Sequence, residues 1–311
     1  MSDTHARLTP STAALLLLPP LLWAGNAVVG RLMQGSIPPI TFNFLRWLLA
    51  FVLLLPLAAW ALGPRSPVWP HWRRFAVLGL LSVALYNALQ YMALKTSTPI
   101  NVTLVAASMP VWMLLLGRLF YSVPVTPRAA LGAVLSLGGV AVVLTRGDWH
   151  QLRALQFVPG DAWMLAAAIT WAGYSWMLAR PAPGSEPTEV RRDWAAFLLA
   201  QVALGLVWSG AMTAGEWALL PTLPAGGHHL RWGWPLALAL LYVAVGPSLI
   251  AYRAWGAGVA RVGPTIAGFF SNLTPLFAAL MSATLLGEPP HLYHLAGFAL
   301  IVGGILVSAR R

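Results

Sequence analysis

Side chains that can hydrogen-bond a small polar molecule lie inside long apolar stretches of this sequence, and they are neutral. Asparagine and glutamine offer donors and acceptors without a fixed charge, and tyrosine adds a hydroxyl on a flat ring. An apolar surrounding without a partner costs such groups free energy, so they must face neighbouring elements or a wet cavity. The set comprises Asn26, Asn87, Gln90, Asn101, Ser108, Ser248 and Asn272, together with Tyr86, Tyr91, Tyr174, Tyr242 and Tyr252.

These side chains suit a zwitterion, which needs donors for its carboxylate and acceptors for its ammonium group. Asn87 and Tyr91, four residues apart, would share one face of a helix. Of the 16 tryptophans, Trp23, Trp163 and Trp171 are the deepest or repeat-matched ones, and we expect them to form cavity walls. We predict that all of these residues bind substrate. A structural role, between helices or against lipid, is the alternative for each of them.

Residues that carry out catalysis are missing from the apolar stretches. All eight Asp and Glu and all seven His residues fall at stretch ends or between stretches, and the sequence has no cysteine. A hydrolase needs a nucleophile with its base or a metal-ligand cluster, and proton-coupled carriers commonly titrate a carboxylate or histidine near the middle of the membrane. We therefore expect no enzymatic activity, no metal, no cofactor and no proton coupling.

The elements that carry the polar residues are ten apolar stretches. Hydrophobic residues make up 59% of the 311 positions and charged residues 9%, against about 25% charged residues in a soluble domain. A helix of about 20 residues crosses the hydrocarbon core of a bilayer, and each stretch is close to that length. We predict an all-α integral membrane protein with ten transmembrane helices, at 13–30, 40–62, 75–92, 99–117, 129–145, 162–179, 194–215, 234–252, 262–287 and 292–309.

The distribution of basic residues predicts the orientation in the membrane. The formal net charge is +11, but the basic residues sit in short loops and at helix ends instead of one patch, so we expect no nucleic-acid partner. With a cytoplasmic N-terminus, thirteen of the 19 Lys and Arg residues fall on the cytoplasmic side and six on the other. This bias predicts cytoplasmic N- and C-termini. Arg46 is the one charge inside a stretch, and we interpret it as extending to the membrane interface.

Two halves of the sequence resemble each other. A shift of 165 residues superposes prolines and glycines of 99–146 on 264–311, and a shift of 148 places Trp23-Ala24-Gly25 on Trp171-Ala172-Gly173. Helix-bending residues match by chance less often than Leu does. We predict two five-helix repeats, 12–146 and 159–309, which are inverted because five is odd. The matched pairs are Pro99 and Pro264, Pro110 and Pro275, Pro124 and Pro289, Gly132 and Gly297, Gly138 and Gly303, and Gly139 and Gly304.

Inverted repeats are typical of secondary transporters, whose substrate site lies near the midplane between the repeats. A duplication kept only for packing is the alternative. We predict gating hinges at Pro110, Gly246, Pro247, Pro264 and Pro275, and static kinks that shape a cavity are equally compatible. The glycines of the fifth and tenth helices predict close packing, either inside the chain or at a dimer seam, so the oligomeric state stays open.

Several motifs together indicate a family. They are Trp23-Ala24-Gly25-Asn26 and Trp171-Ala172-Gly173-Tyr174, Arg46, the paired Pro110 and Pro275, and Leu286-Gly287-Glu288-Pro289 followed by Gly297 and Gly303-Gly304. On these residues the chain, over about 12–309, resembles the EamA-type members of the drug/metabolite transporter superfamily. Within it the chain looks most like the YddG-type exporters, which release amino acids, aromatic ones among them, from bacteria. The resemblance implies a ten-helix basket with both termini inside and a central cavity lined by helices 1, 3, 4, 6, 8 and 9.

We therefore predict a multi-pass protein of the bacterial inner membrane that exports aromatic and other mostly neutral amino acids and related small metabolites. Its partners would be the amino-acid substrate and the lipid bilayer, and its mechanism a facilitative form of alternating access. Efflux of other small metabolites or drugs is the alternative among transporters, and a membrane receptor is the alternative from another class. Import of organophosphates would need intramembrane basic groups for the phosphate, and only Arg46 is near a span interior.

Overall fold

The computed structural model describes residues 8–33, 35–97, 99–153, 156–219, 230–286 and 291–310, which form helices and, over these ranges, no strand. A first π-helical segment, Leu80–Leu85, joins α3 to α4, and a second, Ala244–Ile250, joins α12 to α13. The helices are α1 (Pro10–Leu32), α2 (Pro39–Ala58), α3 (Trp72–Gly79), α4 (Tyr86–Thr96), α5 (Pro99–Ala106), α6 (Met109–Tyr121), α7 (Pro127–Leu144), α8 (His150–Arg153), α9 (Pro159–Ala179), α10 (Thr188–Arg192), α11 (Trp194–Leu219), α12 (Trp234–Val243), α13 (Ala251–Ser271), α14 (Thr274–Leu286) and α15 (Leu292–Ala309).

Eight helical stretches of the described residues, 18 to 38 residues long, are long and apolar enough to cross a membrane. The longest of them, Trp234–Ser271, contains α12, the second π segment and α13. Where they are described, the ten predicted stretches are helical except for turns at Ala107 and Ser108, at Thr145, and at Asn272 and Leu273. The prediction of an all-α membrane protein is therefore confirmed. Gly287, Glu288 and Pro289 of the quoted motif lie outside the described residues.

Prolines begin several helices. Pro39, Pro127 and Pro159 are the first residues of α2, α7 and α9. The first residues of a helix have no intrahelical acceptor for their N–H groups, so proline loses no hydrogen bond there and its fixed φ suits the helix. Thr126 caps α7 by accepting a hydrogen bond from the backbone N–H of Ala129 at 3.2 Å.

Two long helical stretches are broken next to a predicted hinge proline. The first breaks between α5 and α6, and Pro110 is the second residue of α6; the second breaks between α13 and α14, and Pro275 is the second residue of α14. The expectation that both prolines lie within a helix and bend it is therefore wrong in detail. Each proline starts the second half of a broken helix, where its missing N–H costs nothing.

The other hinge candidates also lie at irregular backbone. Gly263, with φ of +82°, interrupts the helical geometry of α13 immediately before Pro264. An L-residue with a side chain is disfavoured at this φ, and glycine is not. Gly246 and Pro247 lie in the second π segment.

Helices α7 and α15 pack through glycines inside one chain. A Cβ atom built on Gly132 would lie 2.7 Å from the carbonyl oxygen of Gly304, and one on Gly139 would lie 2.7 Å from that of Gly297. The two backbones approach closely because no side chain separates them. Gly132, Gly139, Gly297 and Gly304 therefore form a seam within the chain, whereas the Cβ positions of Gly138 and Gly303 have no atom of the described residues within 4 Å, and a dimer seam stays untested.

Candidate functional site

The centre of the protein holds a buried arginine surrounded by neutral acceptors. The Arg46 side chain is 1% exposed and belongs to α2. Its Nε and Nη2 both donate to the Ser248 hydroxyl, at 3.0 and 2.9 Å, and its Nη1 donates to the amide oxygens of Asn26 at 3.2 Å and Asn87 at 3.3 Å. These contacts join α1, α2, α4 and the second π segment. Three of the predicted binding residues, Asn26, Asn87 and Ser248, are thereby brought together around one cation.

The interpretation of Arg46 as a side chain that reaches the membrane interface is wrong. Arg46 is the eighth residue of α2, which is about two turns from the helix start, and its side chain turns inward. Partners that lie far away in the sequence hold it there, since Ser248 is 202 residues away. These buried acceptors offset part of the free-energy cost of desolvating the guanidinium. Because they lie far away in the sequence, the local sequence around Arg46 does not reveal them.

An aromatic cluster adjoins Arg46. Trp171, 1% exposed, lies at its centre, with the centroids of five neighbouring rings 4.9 to 5.5 Å from its own. The Arg46 guanidinium carbon lies 5.5 Å from the ring centroid of Trp47, which in turn contacts Tyr252 at 4.9 Å. The aromatic cluster comprises Trp23, Trp47, Tyr86, Trp171, Tyr174, Tyr252 and Trp255.

The two π segments expose main-chain oxygens to the site. Tyr252 Oη donates to the carbonyl oxygen of Ser82 at 2.8 Å, and Asn43 Nδ2 donates to that of Val83 at 3.0 Å, both in the first segment. Trp23 Nε1 donates to the carbonyl oxygen of Pro247, in the second segment, at 3.3 Å. A π turn shifts the i to i−4 ladder by one residue and leaves carbonyl groups for side chains, which is one reason such turns occur at functional sites.

The central residues pack against one another. Trp171, Tyr174, Ser248 and Tyr252 are buried, while Trp23 is half-buried. A surface pocket of about 570 Å³ between Trp60 and Glu189 and one of about 730 Å³ between Leu8 and Arg310 contain none of the predicted binding residues. We call this arrangement, in which Arg46 is hydrogen-bonded to Ser248 and the rings contact one another, the closed site.

Three predicted binding residues serve as hydrogen-bonding links elsewhere. Asn101 donates to Asp161 at 3.2 Å, near the starts of α5 and α9. Ser108 accepts from Trp112 Nε1 at 3.1 Å, at the break between α5 and α6. Asn272 donates to the carbonyl oxygen of Ala107 at 3.2 Å, at the break between α13 and α14, and all three residues lie apart from the contacts of Arg46. Substrate binding by these residues stays a prediction.

The remaining predicted residues are dispersed. Gln90 is half-buried on α4, and the buried Tyr91 contacts Phe42 with ring centroids 6.5 Å apart. Tyr242 donates to the carbonyl oxygen of Leu22 at 3.2 Å. Tyr86 belongs to the aromatic cluster, as described. Trp163 is 45% exposed and, within the described ranges, makes no ring contact with that cluster. The structure thus separates Trp163 from the site.

Two buried acids lie at helix ends. Glu216, on α11, accepts hydrogen bonds from the backbone N–H of Ile40 at 3.1 Å and of Thr41 at 2.8 Å, at the start of α2. Asp161, in the first turn of α9, accepts from the backbone N–H of Val158 at 3.0 Å. Carboxylates are favoured at helix N-termini by the unpaired amides and the helix dipole. Both acids therefore tie helix ends together, and the described residues contain no group of three or more potential metal ligands.

Sequence reasoning missed Arg46, Trp47 and Trp255 as members of the site. Trp255 is buried and contacts both Trp23 and Trp171 at 5.5 Å. Tryptophan is common at membrane interfaces, so residue type alone gives no signal for these two. For Arg46, the signal was its presence inside an otherwise uncharged stretch, where ionisable residues are costly and usually functional.

Relatives of this chain are transporters. It is 28% identical to the "Aromatic amino acid exporter YddG" of Ancylobacter novellus, over 99% of this chain and 98% of that protein. It is 26% identical to an "Uncharacterized transporter" of Archaeoglobus fulgidus, over 96% and 98%. A "Probable terminal-alkyne amino-acid exporter" of Streptantibioticus cattleyicolor is 27% identical over 83% of this chain and 80% of its own length.

A solved crystal structure matches the fold with a TM-score of 0.67 and 26% identity, over 96% of this chain and 98% of that one. The profile of the EamA-like transporter family matches residues 10–145 and again residues 158–310. These two matches cover most of the chain, and together with the apolar helices they identify a multi-pass membrane transporter. The chain belongs to the EamA-like transporter family.

Proposed function

We propose that the protein exports aromatic and other mostly neutral amino acids across a bacterial inner membrane by facilitative alternating access. The observation that carries this proposal is that Arg46, which the neutral acceptors surround, lies against Trp47 of the aromatic cluster. Flat apolar walls suit an aromatic or aliphatic side chain, while amides and hydroxyls suit the polar end of an amino acid. Two relatives, named "Aromatic amino acid exporter YddG" and "Probable terminal-alkyne amino-acid exporter", support the same substrate class.

The cluster also has an unused donor. The indole Nε1–H of Trp171 is buried and, among the described residues, has no hydrogen-bond partner. An unpaired buried donor costs about 1–3 kcal/mol. A substrate that brings an acceptor to this position would recover that free energy, which favours a polar ligand at the centre of the cluster.

We propose that the chain crosses the membrane ten times as two inverted repeats, 12–146 and 159–309. Shifting the first π segment by 165 residues gives 245–250, which overlaps the second, Ala244–Ile250. Shifting Ser108, at the first helix break, gives Leu273, at the second. The carbonyl oxygens of these two residues accept from the backbone N–H groups of Trp112 at 3.2 Å and Phe277 at 2.9 Å, and the same shift relates those two donors.

Contacts between helix ends support ten alternating crossings with both termini on one side. Each contact joins ends that such a topology places at the same membrane face. On the side assigned as external, the pairs are Ser97 with Asp161, Thr41 with Glu216, and Ser36 with Arg231. On the cytoplasmic side, they are Arg74 with Glu186, Trp60 with Asp193, and Tyr121 with Arg180.

This orientation is tested with single cysteines, which report cleanly because the sequence has none. We expect an impermeant maleimide to label His150→Cys from outside intact cells and Ala182→Cys only after the membrane is opened. Both side chains are exposed. Labelling of both positions from the same side would contradict the proposed topology.

Facilitative transport is supported by the chemistry of the buried groups. The site centres on Arg46, whose hydrogen-bond partners are the amides of Asn26 and Asn87 and the hydroxyl of Ser248. The buried acids Asp161 and Glu216 lie at helix ends and are hydrogen-bonded there. Neither feature offers a group that would load and unload a proton in the middle of the membrane.

The function is tested by counterflow in proteoliposomes of purified protein. Vesicles loaded with unlabelled phenylalanine should take up labelled phenylalanine, while empty vesicles and vesicles loaded with a phosphorylated sugar should not. A pH gradient should leave the final uptake unchanged. Uptake that only a pH gradient drives would contradict the facilitative mechanism. Failure of every neutral amino acid in counterflow would overturn the substrate class and favour efflux of other metabolites or a receptor.

A further inference from the structure

We propose that Arg46 binds the carboxylate of the transported molecule, and that Ser248 occupies the place of this carboxylate while the site is closed. The inference rests on the proposed function and adds to it the chemical group that a substrate must carry. It predicts a carrier for free carboxylic acids that rejects the matching amines and amides.

The charge of Arg46 has no counterion in the closed site. Of the described carboxylates, none forms an ion pair with Arg46, and its hydrogen-bond partners are Asn26, Asn87 and Ser248. A buried cation without an opposite charge costs several kcal/mol, of which neutral acceptors offset only a part. An anionic ligand would supply the missing charge.

The donors around this cation exceed the acceptors that the protein provides for them. The guanidinium carries five N–H donors, of which the contacts to Ser248, Asn26 and Asn87 use four. The indole Nε1–H of Trp47, whose ring lies beside the guanidinium, is buried and has no partner within the described part of the chain. A carboxylate has two oxygens and about four lone-pair sites for such donors.

The geometry of the Ser248 contact indicates where the carboxylate would bind. A single hydroxyl oxygen accepts from both Nε and Nη2 of Arg46, so it occupies the edge of the guanidinium that a carboxylate meets with two parallel hydrogen bonds. The Ser248 hydroxyl itself donates to the carbonyl oxygen of Val243 at 2.8 Å. Replacing one shared hydroxyl by two charged oxygens strengthens both hydrogen bonds of this edge.

This exchange would couple binding to movement of the second π segment. Ser248 follows Gly246 and Pro247 in that segment, so a substrate that displaces its hydroxyl releases the segment from α2. Arg46 is also next to Trp47, which contacts Tyr252 of the aromatic cluster at 4.9 Å. An amino acid anchored on Arg46 therefore places its side chain towards this cluster.

The inference is tested by binding measurements on purified protein in nanodiscs, with tryptophan fluorescence as the signal. The ligands share one benzyl group: phenylalanine, 3-phenylpropionate, phenylalaninamide and phenethylamine. We expect the two carboxylates to bind about tenfold or more tightly than the amide and the amine, because only a carboxylate forms paired charge-assisted hydrogen bonds with a guanidinium. Equal affinities for phenylalanine and phenethylamine would overturn the proposal.

Variants distinguish an Arg46 that binds the substrate carboxylate from an Arg46 that only holds the helices together. Arg46→Gln should weaken the carboxylates about tenfold or more and leave phenethylamine within about threefold, and Arg46→Lys should retain part of the preference. Ser248→Ala should tighten carboxylate binding, because it removes the competing hydroxyl. Loss of all ligands alike in a folded Arg46→Gln protein would overturn the proposal. If that variant does not fold, the proposal is still tested by the ligand preference of the wild-type protein and by the carboxylate affinity of Ser248→Ala.

The two proposals fail in distinguishable ways. Binding of 3-phenylpropionate that depends on Arg46, without counterflow of any amino acid, would leave the anchor intact and overturn amino-acid export. Counterflow of phenylalanine together with equally fast counterflow of phenylalaninamide would overturn the anchor and leave amino-acid export intact.

Discussion

The side-chain amide of Asn272 donates to the backbone carbonyl oxygen of Ala107 across 3.2 Å, and the two residues are 165 positions apart. The same nitrogen donates to the Ser136 hydroxyl at 2.8 Å. Asn272 lies at the break between α13 and α14, and Ala107 lies at the break between α5 and α6. The two broken helices therefore touch at matching positions.

We expect Asn272→Ala to lower the free energy of unfolding by about 1–3 kcal/mol, because it leaves two buried acceptors without their donor. Thermal unfolding in detergent measures the effect. Ser136→Ala is the control, because it removes only one of the two hydrogen bonds of Asn272 and should lower the free energy of unfolding by less. An Asn272→Ala protein that unfolds at the wild-type temperature would contradict a linking role at the helix breaks.

Glycine substitutions test the seam between α7 and α15. Gly132→Ala should destabilise the protein by about 1–3 kcal/mol, because its new methyl group would lie 2.7 Å from the carbonyl oxygen of Gly304. Gly138, on the same helix, has no atom of the described residues within 4 Å of its Cβ position. Gly138→Ala should therefore leave the unfolding temperature unchanged or raise it slightly, since alanine favours helix. Equal effects of both substitutions would rule out a close glycine seam.

The aromatic cluster is tested by exchanging tryptophan for phenylalanine. Trp171→Phe keeps a ring at the centre but removes the unpaired Nε1–H, so we expect a raised KM for aromatic amino acids with little change in protein yield. Trp163→Phe, eight residues earlier on α9 and 45% exposed, is the matched control and should transport normally. If Trp163→Phe impaired transport as strongly as Trp171→Phe does, the proposed location of the substrate site around Trp171 would be wrong.

A partly buried ion-pair network lies at the end of the protein that we assign to the cytoplasm. Glu186 pairs with Arg74 of α3 and with Arg191 of α10, each at 3.1 Å, and is 7% exposed. Glu186→Gln should leave two cations without their counterion and favour conformations open at this end. Faster maleimide labelling of a cysteine at Met177, whose carbonyl oxygen Arg74 contacts, measures this opening. Glu189→Gln, an exposed neighbour without an ion pair in the described structure, should label at the wild-type rate.

The helices were predictable and the site only in part, for physical reasons. Stretches of about 20 apolar residues have few alternatives to a membrane helix, so length and composition suffice. Trp163 and Trp171 are eight residues apart, which turns them by only about 80° around α9, so periodicity could not separate an exposed ring from a buried one. Their neighbours separate them, and the neighbours of Trp171 come from α1, α4 and α13. The position of Arg46 was also predicted wrongly, because its partners Asn26, Asn87 and Ser248 come from other parts of the chain.

Main-chain oxygens released by the π turns make the interior able to accept water. Tyr252 and Trp23 now satisfy the carbonyl groups of Ser82 and Pro247. If the rings withdraw, a solvent molecule or a ligand donor can take over at each oxygen, so the hydrogen bond is exchanged and not lost. We therefore expect water to enter the interior as the rings separate.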